Sequence, residues 1–182
     1  MKIREAIEPD AQQMIDLFSK LDNETSFMMM EPGERKVSIE DQVKRISSFA
    51  NASDKLMAVA EKGDVLAGFI VASSGVANRN RHSAYMVLGV QKAFWGQGIG
   101  GALIEFMESW VIKAGIHRVE FTVVEGNSAA RGLYKKYGYD EEGIKRDSLK
   151  VNGSYVNEIY MSKLFKTEQV QAKDAKRTAP LL

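Results

Sequence analysis

The stretch Ser83-Ala84-Tyr85-Met86-Val87-Leu88-Gly89-Val90, followed after five residues by Gly96-Gln97-Gly98-Ile99-Gly100-Gly101, organises the rest of the chain. The first segment is almost continuously apolar and predicts a strand buried on both faces. The glycines then lead into a helix with Leu103, Phe106, Met107, Trp110 and Val111 on one stripe, ending near Gly115. A strand, a glycine loop and a helix N-terminus together form an anion-binding device. The first-turn N–H groups lack intrahelical partners, and the positive end of the helix dipole faces the same point. Glycine lets a phosphate approach the backbone where a Cβ would obstruct it. The plainer alternative is a tight turn or close helix packing. Four glycines in six residues after a strand weigh towards phosphate.

Outward from this unit, Lys2 to Ile7 predicts a first strand. Pro9 and Asp10 open a helix through Ala11, Met14, Ile15, Phe18 and Leu21. Ser38, with Asp41 three residues on, caps a second helix through Ile39, Val43, Ile46 and Phe49. Lys55–Glu61 and Val65–Ser73 form a hairpin about Lys62-Gly63-Asp64. Beyond the glycine helix, Val119–Val124 alternates, with Val119, Phe121 and Val123 on one face. Asn127 or Ser128 caps a short helix bearing Ala130, Leu133, Tyr134 and Tyr137, and Gly138 stops it. Ile144–Lys150 and Tyr155–Lys163 then turn at Asn152-Gly153, a type I′ signal. The order β-α-α-β-β-β-α-β-α-β-β predicts an α/β (α+β) fold. It is a mixed, mostly antiparallel sheet with helices on both faces and one central β-α-β unit whose crossover is right-handed. One domain is expected over residues 1–165, with a polar tail over 166–182.

Composition narrows the function. The 182 residues are 45% hydrophobic and 27% charged, as in an ordinary globular domain. A net charge of +1 gives no electrostatic case for nucleic acid or an anionic membrane. There are no cysteines and only two histidines, His82 and His117, so no metal site is expected. The N-terminus carries no apolar leader and nothing approaches the ~18 apolar residues of a membrane span, so a cytoplasmic location is expected.

Gly96, Gly98 and Gly101 also satisfy G-x-G-x-x-G, and Glu125 stands where a ribose-binding acid would. An NAD(P)-type oxidoreductase is therefore an alternative. Against it, Gln91 to Trp95 separate the strand from the first glycine, hairpins precede the unit, and too little chain follows for a doubly wound sheet. A kinase-type loop is excluded because no Lys-Ser or Lys-Thr follows the glycines.

Two blocks carry a family resemblance. Trp95-Gly96-Gln97-Gly98-Ile99-Gly100 is similar to the Arg/Gln-x-x-Gly-x-Gly/Ala signature of the GCN5-related N-acetyltransferases, with Trp95 for the usual Arg or Gln. Asn127-Ser128-Ala129-Ala130-Arg131-Gly132-Leu133-Tyr134-Lys135-Lys136-Tyr137-Gly138-Tyr139 resembles the family's N-x-x-A-x-x-L-Y-x-x-x-G-F. The aromatic at position 95 resembles the ribosomal-protein and polyamine branch.

The resemblance implies an acetyl-CoA-dependent N-acetyltransferase acting on a primary amine: a small amine, an amino acid, a polyamine or a protein N-terminus. A non-catalytic acyl-CoA-binding regulator on the same fold is the other alternative. It implies that the strands ending at Val90 and beginning at Val119 splay apart, with pantetheine pairing along Leu88, Gly89 and Val90. Gln97, Gly98, Ile99, Gly100 and Gly101 would hold the pyrophosphate. Asn127 would bind pantetheine, cap the helix, or both, and Tyr134 would protonate the departing thiolate. The position at which some members carry a basic Glu is Thr122 here. Glu120, Glu31, Glu34 and His82 are the candidate bases. Met28-Met29-Met30 is a candidate wall of the acceptor pocket; Glu31 and Glu34 would suit a cationic acceptor, Arg35 a carboxylate. A homodimer is expected from the family.

Overall fold

A computed structural model describes residues 1–166. The elements are β1 (Lys2–Glu5), α1 (Ala11–Glu24), α2 (Ile39–Ala50), β2 (Lys55–Lys62), β3 (Val65–Ser74), β4 (Ser83–Val90), α3 (Ile99–Lys113), β5 (Arg118–Val124), α4 (Ser128–Lys136), β6 (Asp140–Val151) and β7 (Ser154–Leu164). One seven-stranded sheet runs β1-β2-β3-β4-β5-β7-β6, and every neighbouring pair is antiparallel except β4–β5. The expected α/β architecture and element order are therefore present, with α3 crossing between the parallel pair. Among the described residues no helix is long and apolar enough to cross a membrane. The tail beyond Lys166 lies outside the described residues.

Two apolar layers flank the sheet. α1 and α2 bury Met14, Leu17, Phe18, Leu21 and Ile46 against Met57, Val59, Phe69 and Val71. α3 and α4 bury Leu103, Ile104, Met107 and Tyr134 against the opposite face, with Ala84, Met86, Val119, Phe121 and Val123. Local signals set the ends as expected. Ser38 accepts from the Asp41 N–H, Asn127 accepts from the Ala130 N–H, and Asn152 (φ +51°) with Gly153 (φ +82°) make the β6–β7 turn.

Three details differ from expectation. β1 stops at Glu5, because Asp10 accepts the Ile7 N–H and is gripped through both oxygens by Arg4, which turns the chain towards α1. β6 begins at Asp140 rather than Ile144, extended by pairing that is interrupted between Glu141 and Gly143 and again between Lys145 and Leu149. The most consequential correction concerns β4, which is not buried on both faces. Ala84 and Met86 point into the α3 core, but Tyr85 and Val87 are 46% and 44% exposed. α1 closes on the other face of β4 at Gly89, where a Cβ would lie 2.9 Å from Leu21 Cδ1 and, on β3, 2.7 Å from Phe69 Cε1. Among the described residues nothing covers Tyr85 and Val87 fully on the sheet face beyond that point.

Candidate active site

β4 and β5 pair only at Ser83–Arg118, Ala84–Val119 and Tyr85–Glu120. Past Tyr85, β4 continues to pair with β3 alone, through Gly68–Val90, and β5 with β7 alone, through Val124–Glu158. The two central strands thus part, leaving facing edges with no partner strand among the described residues. An extended ligand can use such edges. The Tyr85 side chain stands at the fork: its hydroxyl lies 3.1 Å from Thr122 Oγ1 and accepts the Thr122 N–H at 3.3 Å. Leu88, Gly89 and Val90 lie along the β4 edge, with Leu88 and Val90 directed to the α3 core and Gly89 to α1. The Val90 carbonyl is already occupied, by the Trp95 indole N–H at 2.7 Å. Trp95 therefore turns back onto the strand end, which is what its aromatic side chain does in place of a cation.

The glycines divide into two pairs. Gly96 (φ +72°) and Gly98 (φ +78°) take the left-handed conformation, and a Cβ on either would meet nothing within 4 Å. Gly98 is the N-cap of α3, and the first intrahelical donor is the Ala102 N–H onto Gly98 O, so the N–H groups of Ile99, Gly100 and Gly101 precede the ladder. Gly100 and Gly101 do the plainer job of close packing: a Cβ would lie 2.8 Å from Leu133 Cδ2 and 2.2 Å from Tyr137 Oη, respectively. Ile99 anchors the turn in the core at 2% exposure. Gln97 donates to Ala93 O at 3.2 Å and accepts from Lys62, whose ammonium also sits 5.5 Å from the Phe94 ring centre. An open turn of free N–H groups beside a lysine suits a phosphate.

Tyr134 is buried, its ring 4.2 Å from that of Phe121 and 6.1 Å from that of Tyr139. Burial pushes its phenol well above the ordinary tyrosine value, and Tyr85 is close enough to push it further. The side chain is thus both a core residue and a hydroxyl that keeps its proton at neutral pH.

Two of the candidate bases, Glu120 and Glu34, are engaged within the protein. Glu120 is paired with Arg118 at 2.7 Å, Glu34 accepts the Glu31 N–H, and the His82 ring faces His117 at 6.3 Å. Sequence reasoning passed over Glu158. It is 3% exposed and accepts from Thr122 Oγ1 at 2.6 Å and from Lys145 Nζ at 2.9 Å. Burial would raise its carboxyl, but the hydrogen bonds from Thr122 and Lys145 outweigh that and hold it below the usual carboxylate range. The one local hint was alternation on β7, which puts Glu158 on the same face as Tyr160.

A cavity of about 430 Å³ adjoins the end of β5, lined by Phe27, Val124, Glu125, Asp147, Tyr155 and Asn157 among others. The methionines do not line it: Met28 packs on the α1–α2 core while Met29 and Met30 are exposed. Arg35 is unavailable to a ligand carboxylate, being bound to the buried Asp22 at 2.8 and 3.1 Å and resting 5.0 Å from the Phe18 ring centre. No group of three or more His, Cys, Asp or Glu among the described residues could hold a metal.

The family model for the acetyltransferase (GNAT) family matches residues 13–139. The chain belongs to this family. It is 31% identical over 106 residues to the L-amino acid N-acetyltransferase AaaT of Escherichia coli K12, and the match covers 56% of this chain and 63% of that relative. A GNAT-family acetyltransferase from Streptococcus pneumoniae superimposes with a TM-score of 0.87 at 25% identity, covering 90% of this chain and 99% of that one. The ribosomal-protein-alanine N-acetyltransferase of Brucella melitensis shares the fold at a TM-score of 0.80 and 20% identity, over 91% and 100% of the two chains. So does yncA of Salmonella typhimurium, solved with acetyl-CoA, at 0.79 and 18% over 91% and 94%. A doubly wound dinucleotide fold is not what this chain adopts: its sheet has one parallel pair, and Glu125 accepts from Asn157 at the cavity wall.

Proposed function

We propose that this GNAT-family chain transfers the acetyl group of acetyl-CoA to a primary amine by direct attack. The observation that carries this is the parting of β4 and β5 beside the glycine-led start of α3. It offers an extended thioester arm a slot and its pyrophosphate a cluster of N–H groups. In this reading Leu88, Gly89 and Val90 flank the pantetheine arm, and Gln97, Gly98, Ile99, Gly100 and Gly101 surround the pyrophosphate. Asn127 serves twice: its carboxamide oxygen caps α4, and its NH₂ is left to donate to pantetheine. As the amine nitrogen bonds the thioester carbon and the C–S bond breaks, Tyr134 delivers its proton to the sulfur. A transferase domain spanning residues 1–165, a homodimer and a cytoplasmic setting complete the proposal.

The acceptor is a small amine, an amino acid, a polyamine or a protein N-terminus. The chain spans 63% of the length of the amino-acid acetyltransferase it matches, so that relative's substrate is one member of the panel to be tried. Acetyl-CoA is offered with each class of amine and free thiol is measured. Thiol release dependent on one amine is the expected result. Tight CoA binding by calorimetry without thiol release from any amine would instead make the chain an acyl-CoA-binding regulator.

A further inference from the structure

Tyr85, Thr122 and Glu158 form a row of hydrogen bonds that the acid role of Tyr134 does not use. The row runs from the fork between β4 and β5 into the sheet: Tyr85 Oη to Thr122 Oγ1 at 3.1 Å, and Thr122 Oγ1 to Glu158 Oε1 at 2.6 Å. Its two ends differ. Tyr85 is 46% exposed on the open sheet face, whereas Glu158 is 3% exposed between β5 and β6, with Lys145 on its other oxygen.

The polarity of the row follows from its buried end. An ionised carboxylate only accepts, so Thr122 must spend its single hydroxyl proton on Glu158. Thr122 Oγ1 can then only accept from Tyr85, and Tyr85 must donate to it. The Thr122 backbone N–H takes one lone pair of the phenol oxygen at 3.3 Å. What Tyr85 presents at the fork is therefore its remaining lone pair and no proton. Tyr134, close enough to Tyr85 to feel it, keeps its proton, and among the described residues no hydrogen bond commits its hydroxyl elsewhere. Two phenols beside one slot thus have opposite characters.

We propose that Tyr85 is a catalytic residue that accepts an N–H of the attacking amine, and that Thr122 and Glu158 are positioning residues that force it to accept. This rests on the acetyl-transfer reading above. As the N–C bond forms, the amine proton passes to Tyr85 Oη, the Tyr85 proton to Thr122 Oγ1 and the Thr122 proton to Glu158. The C–S bond breaks, its electron pair stays on sulfur, and the sulfur takes the proton of Tyr134. One proton leaves nitrogen, one reaches sulfur, and the two ends are reset by solvent after product leaves. The chain thereby places its proton acceptor one strand away from Thr122, on β7.

The test compares Tyr85→Phe, Thr122→Val, Thr122→Ser and the Tyr85→Phe/Thr122→Val double variant in steady-state kinetics with the best amine of the panel. Tyr85→Phe and Thr122→Val each lower kcat by about 100-fold, with the KM for acetyl-CoA unchanged. The double variant is no slower than either single one, because the row acts as a unit. Thr122→Ser keeps the hydroxyl and recovers most of the rate. An unchanged kcat in Tyr85→Phe overturns the proposal, as do multiplicative losses in the double variant or a Thr122→Ser enzyme as slow as Thr122→Val. Wild-type protein that releases no thiol with any amine overturns the acetyl-transfer reading itself, and this assignment with it, before any variant is compared.

Discussion

Replacing Gly98 and Gly101 separately by alanine separates ligand binding from packing within one loop. At Gly98 the backbone is left-handed at φ +78° and a Cβ would project into open space. An L-residue there costs about 1–2 kcal/mol, partly offset by about 0.4–1 kcal/mol from a stiffer unfolded chain. The net is about 1 kcal/mol, or roughly 2–4 °C in Tm for a domain of this size. The affinity cost is larger. The methyl enters the space in front of the free N–H groups of α3, where the pyrophosphate is proposed to lie. Losing one charge-assisted hydrogen bond of about 1.5–3 kcal/mol weakens CoA binding roughly 10- to 100-fold. At Gly101 the Cβ would lie 2.2 Å from Tyr137 Oη and would displace the hydroxyl from Glu105, its partner at 3.0 Å. Overpacking of about 1–3 kcal/mol is reduced by the roughly 1 kcal/mol that alanine gains over glycine in a helix. Its Cβ points at α4, not at the loop mouth, so CoA affinity changes by no more than about threefold. Thermal melts and CoA titration calorimetry on the two variants read both quantities. Wild-type CoA affinity in Gly98→Ala, with a large loss in Gly101→Ala, would refute the division.

Tyr134→Phe keeps the ring against Phe121 and removes only the hydroxyl, so kcat falls by about 10²- to 10⁴-fold while CoA affinity stays at the wild-type value; unchanged turnover would rule Tyr134 out as the acid. Arg35→Ala strands the Asp22 carboxylate, whose side chain is 1% exposed, and costs about 3–5 kcal/mol in urea unfolding. Replacing Asp22 and Arg35 together by Leu and Met recovers most of that; a single variant as stable as wild type would show the pair to be idle. Glu142 is held by Arg118 and Ser162 at about 2, below its ordinary 4.5. A depressed folded-state value means that its contribution is present above pH 4.5 and is lost as pH falls towards 2. Because the group is solvent-screened, that contribution is below about 1 kcal/mol. Glu142→Gln therefore shows a smaller drop in urea midpoint between pH 6 and pH 3 than wild type; equal drops would contradict the assignment.

Elements set by local chemistry were legible in the sequence. Ser38 and Asn127 each cap a helix with their own side chains, Asn152-Gly153 can reverse a hairpin through its own φ angles, and the alternation of Val119, Phe121 and Val123 follows from pleat geometry. The central β-α-β unit was visible for the same reason. What failed was the inference about which strand face a helix covers. The apolar run of β4 suggested two covered faces, yet burial depends on whether a helix arrives. α1 arrives where Gly89 lets Leu21 in, while Tyr85 and Val87 stay about half exposed.

The site divides along the same line. Gly98, Asn127 and Tyr134 lie in short motifs because a helix start or a helix face arranges them within a few residues. Arg35 looked available although Glu31 and Glu34 stand beside it in sequence; its actual partner is Asp22, thirteen residues away on α1. Glu158 is thirty-six residues from Thr122 and farther still from Tyr85, and the order β4-β5-β7 makes them a row. Position 122 thus carries no carboxylate, while a buried one on the neighbouring strand stands within hydrogen-bonding reach of it. Pairing with the next strand can place a carboxylate at nearly the same point in space with no trace in a linear motif. The open face of β4 and the hidden Glu158 are two results of one arrangement: helices α1 and α2 cover the β1–β3 side, so the side formed by β4, β5 and β7 is free to meet an acceptor.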